Sequence, residues 1–223
     1  MYAFENTWHV VALIGGLATA RTAFAHSRML QEQKGAVLEF IDSGLIAVLL
    51  VFCVLRPFVV QAFFIPSSSM EPTLQIHDRI LVNKFVYYFT EPSAGDVVVF
   101  DAPPQATTEK KDYIKRVVGV PGDRIAVKGG RLYRNGQRVQ EPYTRELAWH
   151  TWPADAEEGG EVVVPPGHVV VFGDNRNNSH DSHAWGMAGA DGGFEPRPFL
   201  ARANILGKAT VIFWPPKRIR LLD

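Results

Sequence analysis

The chain has 223 residues, 23 acidic and 23 basic side chains, and 47% hydrophobic residues. That length suits one domain of moderate size plus an appendage. The charge balance argues against a nucleic-acid partner, and the ordinary apolar content against a polytopic membrane protein.

The stretch His9 to Ala20 is apolar but broken by Gly15 and Gly16. It reads either as a short first span or as an interfacial helix. Ala23-Phe24-Ala25 resembles a small-x-small cleavage site, but the lack of a basic start argues against a cleavable signal. Gly44 to Leu55 is continuously apolar. A membrane-spanning helix needs about 20 such residues, so the span is extended across Arg56, whose side chain can snorkel to the interface; a buried core helix is the other reading. The anchor is therefore placed at 41–63, after an N-terminal segment at 1–40, with Phe58 to Ile65 at the membrane surface. Cys53, the one cysteine, permits no intramolecular disulfide and reads as a buried or lipid-facing small hydrophobe. Arg21, Arg28 and Lys34 precede the span and assign that side to the cytoplasm, which makes 64–223 extracytoplasmic.

From Pro66 onward the pattern is β. Ile80 to Val82, Val97 to Phe100, Ile114 to Val120, Val162 to Val164, Val169 to Phe172 and Thr210 to Trp214 are short runs of β-branched and aromatic residues separated by Gly and Pro. Asn135-Gly136 between Arg131-Leu132-Tyr133 and Arg138-Val139 is a two-residue hairpin signal. Tyr143 to Glu161 and Ala188 to Arg197 read as loops, the second rich in glycine.

Three polar segments can carry chemistry. Pro66-Ser67-Ser68-Ser69-Met70-Glu71-Pro72-Thr73 looks like a linker, except that Met70 and Leu74 are interleaved with it and two prolines stiffen it. In Tyr113-Ile114-Lys115-Arg116, strand alternation allows Lys115 to point inward while Arg116 stays in water; composition alone leaves both as solvated edge residues. Gly173 to His183 is a polar run after a strand, either a surface loop or an organised network. Asp174, His180, Asp181 and His183 are possible metal ligands, but their spacing fits neither a calcium loop nor a zinc site.

Taken together and in order, these segments resemble type I signal peptidase, the Ser-Lys signal (leader) peptidase of bacteria and plastids. The motifs are Ser67-x-Ser69-Met70-x-Pro72-Thr73, His77-Asp78-Arg79-Ile80-Leu81-Val82, Gly95-Asp96-Val97-Val98-Val99-Phe100, Tyr113-Ile114-Lys115-Arg116 with Gly119-x-Pro121-Gly122-Asp123, and Gly173-Asp174-Asn175-Arg176-x-x-Ser179-x-Asp181-Ser182. The resemblance implies a mainly β fold: an antiparallel β-sheet catalytic domain with a protruding β-hairpin, preceded by a transmembrane helix. It implies a serine endopeptidase that removes signal peptides after small, Ala-x-Ala-like residues, without metal or cofactor. Its partners would be signal-peptide-bearing preproteins and the lipid bilayer, and the chain would act as a monomer in a cell membrane or thylakoid-type membrane.

By the same resemblance Ser69 is the nucleophile, Lys115 the general base and Ser67 an oxyanion-hole donor. Ser179 holds the Lys115 ammonium and Asp181 orders the loop behind it, while Phe63, Ile65, Leu74, Tyr113 and Ile114 line the substrate pockets. The chemistry is consistent: serine needs a base, and lysine becomes one only when burial lowers its pKa. The sequence departs from the family's pattern at His77, where glycine is usual, at His183, where many members have arginine, and in a longer stretch over Met187 to Ala203. A self-cleaving repressor-type Ser-Lys protease shares the chemistry but not the span. A catalytically inactive tethered β-domain is the remaining alternative.

Overall fold

The structure is a computed structural model that describes residues 7–26, 31–52, 59–188 and 194–222. The chain divides into two compact units, one over Phe4–Gln61 and one over Ala62–Asp223.

The first unit holds two helices, α1 (Thr7–Ala25) and α2 (Gln31–Leu49), which pack on each other. Arg21 joins Asp42 across them through bonds of 2.5 and 3.2 Å. Lys34–Phe52 is long and apolar enough to cross a bilayer, and the apolar part of α1, Val11–Ala25, is shorter. The candidate span thus begins earlier than the expected 41–63. Asp42 lies within it, with its charge paired by Arg21. At the other end Val60–Phe64 is a strand and Phe63 is fully buried. Cys53 and Arg56 lie outside the described residues.

The second unit is built from antiparallel strands. In chain order they are β1 (Val60–Phe64), β2 (Arg79–Asn83), β3 (Val97–Asp101), β4 (Asp112–Gly119), β5 (Arg124–Lys128), β6 (Arg131–Arg134), β7 (Gln137–Arg138), β8 (Val162–Val163), β9 (His168–Phe172), β10 (Gly186–Ala188), β11 (Phe194–Pro196), β12 (Leu200–Ala201), β13 (Ile205–Trp214) and β14 (Arg220–Leu221). The main sheet runs β1-β2-β13-β3-β4-β9-β12, with β14 added to β13; β7-β6-β5-β8 form a second sheet and β10-β11 a third. Asn135 and Gly136, both at positive φ, make the expected tight turn between β6 and β7.

The centre of the main sheet is covered on both faces. Along β3, Val97 and Val99 enter one core cluster while Val98 and Phe100 enter another. This is why that strand reads as an unbroken apolar run and not as an alternation. A third cluster, with Ile125, Leu132, Trp152 and Phe172, fills the space between the two larger sheets. The same coverage corrects the expectation for Arg116: on β4, between β3 and β9, it is as buried as Lys115.

Two stretches expected as loops carry order. Trp152 in 143–161 exchanges main-chain bonds of 3.0 and 2.6 Å with Val127 and is buried in the third cluster. The stretch after Gly186 forms β10, β11 and β12, although residues 189–193 lie outside the described residues.

Gly207 on β13 faces the tightest backbone approach in the main sheet. A Cβ there would lie 2.5 Å from the Asn83 carbonyl oxygen and 2.8 Å from Val82 Cγ1. Gly207→Ala is expected to destabilise the chain by about 1–3 kcal/mol, seen as a lower denaturant midpoint in detergent. An unchanged midpoint would mean that β2 can move away at no cost.

Candidate active site

The serine-bearing loop is closed at its base by two main-chain bonds, Ile65 N–H to Asp78 O and His77 N–H to Ile65 O, both 2.9 Å. Met70 and Leu74, which interrupted the polar run in the sequence, are fully buried, and Leu74 N–H bonds Met70 O at 2.9 Å. They fasten the loop to the core and leave Ser67, Ser68 and Ser69 lining a cleft of about 330 Å³. The loop is also held from the C-terminal end of the chain. Arg218 forms a two-bond pair with Asp78, both at 2.8 Å, and Arg220 donates to Thr73 O at 2.7 Å. His77 has φ 75°. This left-handed conformation explains why the resemblance expects glycine there, since an L-residue bears about 1–2 kcal/mol in it.

Lys115 reaches the cleft from β4. Its Nζ lies 2.8 Å from Ser69 Oγ and 2.9 Å from Ile114 O, and 5.6 Å from the Tyr113 ring centre. Burial pushes the lysine down to about 8, against a smaller opposing pull from the Asp181 and Asp174 carboxylates. Ser67 Oγ stands 3.4 Å from Ser69 Oγ. Among the residues expected to line substrate pockets, Tyr113 and Ile114 line this cleft. Phe63, Ile65 and Leu74 do not: they are sealed in the core cluster that also holds Met70 and Ile114, and so support the loop from below.

The polar run Gly173 to His183 proves to be an organised network. Asn175 N–H bonds Ser69 O at 3.1 Å, Asn175 Nδ2 bonds Ser68 O at 3.1 Å, and Asn178 Nδ2 bonds Ser68 Oγ at 2.9 Å. Thr73 Oγ1 donates to Asp174 at 2.5 Å. Asn175 stands in a motif without an assigned role and Asn178 at one of its unspecified positions, because an asparagine in a polar run looks the same whether it grips a neighbour or faces water. Gly173 lies against this contact. A Cβ there would come 2.4 Å from Ser69 O and 2.3 Å from Ser179 Oγ.

Ser179 does not reach Lys115 with a hydrogen bond. Its hydroxyl is buried, has no hydrogen-bond partner among the described residues, and lies close enough to Asp181 to favour that group's charged form. Asp181 accepts the Gly173 N–H at 2.8 Å and pairs with His183 Nδ1 at 2.7 Å. Burial alone would raise its carboxyl, but these bonds outweigh burial and leave it below the ordinary value. Arg116, expected in water, instead makes two bonds of 2.9 and 2.7 Å to Asp174, donates to Gly95 O at 2.7 Å and lies over the Tyr143 ring. Asp174, His180, Asp181 and His183 do not converge on a common point: His180 turns to Ala106 O and His183 to Asp181. Among the described residues no group of three or more His, Cys, Asp or Glu is placed to hold a metal ion.

Comparison with known proteins gives one consistent result. Residues 37–214 match the family model described as signal peptidase, peptidase S26. A probable signal peptidase I-2 of Synechocystis is 43% identical over 171 residues, covering 75% of this chain and 69% of the relative. Signal peptidase I of Leptolyngbya laminosa is 41% identical over 170 residues, covering 74% of each. Signal peptidase I P of Bacillus subtilis subsp. natto is 34% identical over 193 residues, covering 85% of this chain and 96% of the relative.

The burial of Lys115 has a direct readout. In protein labelled with 13C at lysine Cε, the Lys115 resonance is expected to titrate with a midpoint near pH 8, apart from exposed lysines at about 10.4. A midpoint with the exposed group would refute the dry site.

Proposed function

The chain belongs to the signal peptidase family, peptidase S26, whose hydrolases remove signal peptides, and we propose that it does so through Ser69 and Lys115. The observation that carries this reading is the 2.8 Å contact between Ser69 Oγ and a lysine amine that burial holds at about 8. In the neutral form Lys115 takes the Ser69 hydroxyl proton as Oγ attacks the scissile carbonyl. The resulting oxyanion is stabilised by the Ser67 hydroxyl beside it and by the Ser69 backbone N–H. Lys115 then passes its proton to the departing amine, which is the new N-terminus of the mature protein. A water molecule, deprotonated by the same lysine, hydrolyses the acyl-enzyme.

The substrate is an extended preprotein segment with small residues at the first and third positions before the cut. The modest cleft volume beside Tyr113 and Ile114 supports this choice. The apolar helix Lys34–Phe52 tethers the enzyme to the bilayer in which signal peptides are held, and confinement at one surface raises their effective concentration. The catalytic unit then lies on the extracytoplasmic side of a cell membrane or thylakoid-type membrane and works as a monomer.

Ser69→Ala and Lys115→Ala are each expected to abolish cleavage of a preprotein while leaving the circular dichroism spectrum unchanged. Full activity in either would sink the dyad. Ser67→Ala is expected to lower kcat by roughly 10²–10³-fold with little change in KM, the scale of losing one oxyanion donor; a KM effect alone would remove Ser67 from that role. With native enzyme, kcat/KM rises with pH through about 8, because only the unprotonated amine serves as base.

A further inference from the structure

The segment 143–161 carries a side chain that the reaction scheme does not use. His150 lays its ring flat on that of His183, with centroids 3.9 Å apart and planes 8° from parallel. The His183 ring is also met edge-on by Phe172, at 6.2 Å and 85°. His183 binds Asp181, Asp181 binds the Gly173 N–H, and Gly173 lies against Ser69 O and Ser179 Oγ. A line of touching groups therefore runs from His150 to the nucleophile. Its carboxylate, Asp181, also acts through its charge on Lys115.

The chain on either side of His150 is fastened at both ends. Trp149 N–H bonds Asn177 Oδ1 at 2.8 Å, and Asn177 Nδ2 bonds Leu147 O at 3.0 Å, so the segment is fixed to the catalytic loop. Two residues later Trp152 pairs with Val127 on β5, fixing it to the second sheet. His150 has little freedom to sit elsewhere. Its charge state suits a stacking role. Burial pushes it down to about 4, with His183 and Arg176 adding to the effect and Asp181 opposing it. At neutral pH it is a flat, uncharged plate. Its Nε2 is buried without a hydrogen-bond partner among the described residues, and its ring face is its contact with His183.

An imidazole is a weaker partner for a carboxylate than an arginine fork, because it has one donor toward it and can rotate about its own axis. Something must fix the plane of His183 if Asp181 is to keep both of its bonds. Phe172 bounds one side and the face covered by His150 bounds another. We propose that His150 is a positioning residue: stacked on His183, it holds the His183–Asp181 pair, and through it the Gly173 turn and Lys115, in the geometry that acyl transfer needs. The proposal rests on the Ser69–Lys115 dyad, and its failure is separable from failure of that reading.

The test uses the full chain in detergent micelles with a preprotein substrate. His150→Ala is expected to lower kcat about 10-fold or more, since small misplacements of reacting groups are costly, with KM within twofold of native. His150→Phe, a neutral ring without the orphaned nitrogen, is expected to restore kcat to within twofold. His150→Leu, of similar bulk but not flat, should stay slow, and it stands in for the alanine variant if that fails to fold. A packing role alone predicts lowered stability with native kcat in the folded fraction of all three. Native kcat in the Ala or Leu variant, or a Phe variant as slow as either, overturns the proposal. Activity in Lys115→Ala would overturn the dyad instead.

Discussion

The proposed chemistry of the β-sheet unit depends on the burial of one amine. Lys115 lies on a central strand of the main sheet, under a loop that two buried apolar residues fasten to the core. Water around an ammonium is worth several pKa units. Burial of the Lys115 side chain is the largest influence on its amine and moves it down to about 8. Three asparagine bonds from the Gly173–His183 loop to Ser68 and Ser69 hold the serine-bearing loop in place, and Gly173 lies against Ser69 O.

Two carboxylates work against this dryness, and the structure answers each with a cation or a donor. Asp174 and Asp181 both pull the lysine toward its charged form. Asp174 is taken up by the Arg116 guanidinium in a buried two-bond pair. Asp181 is taken up by His183, the Gly173 N–H and the nearby Ser179 hydroxyl. Removing one partner of such a buried pair leaves an uncompensated charge. Here that stray charge would also act on Lys115, so these pairs bear on the lysine as well as on the fold.

Much of this was legible in the sequence, and what was missed shares a cause. The strands at Val97, Val169 and Thr210 announced themselves because their apolar runs are long and β-branched. β5 was missed because only Ile125, Ala126 and Val127 stand between charged ends, and β1 because its aromatic residues follow an apolar helix and read as part of it. Ser69 and Lys115 were found through an ordered set of motifs, not through periodicity, since 46 positions separate them and nothing local marks either. Arg116, Asn175, Asn178 and His150 were misread or passed over because their burial depends on what packs over them from distant parts of the chain. Sequence spacing reports a face; it does not report whether that face is covered.

Lys115 and Arg116 make the point on adjacent residues of one strand. Both are nearly inaccessible to solvent. Arg116 enters its burial with a carboxylate, a main-chain carbonyl and an aromatic face around it, a set that stabilises a permanent cation. Lys115 meets a hydroxyl and one carbonyl, both neutral. Two neutral acceptors do not replace the hydration of an ammonium, whereas a neutral amine needs little more. The fold therefore sorts two neighbouring bases by their partners, keeping one charged to hold Asp174 and lowering the proton affinity of the other, as the proposed dyad requires. Exchanging the residues would fail at both positions: an arginine at 115 would stay protonated, and a lysine at 116 would reach Asp174 through a single point of charge.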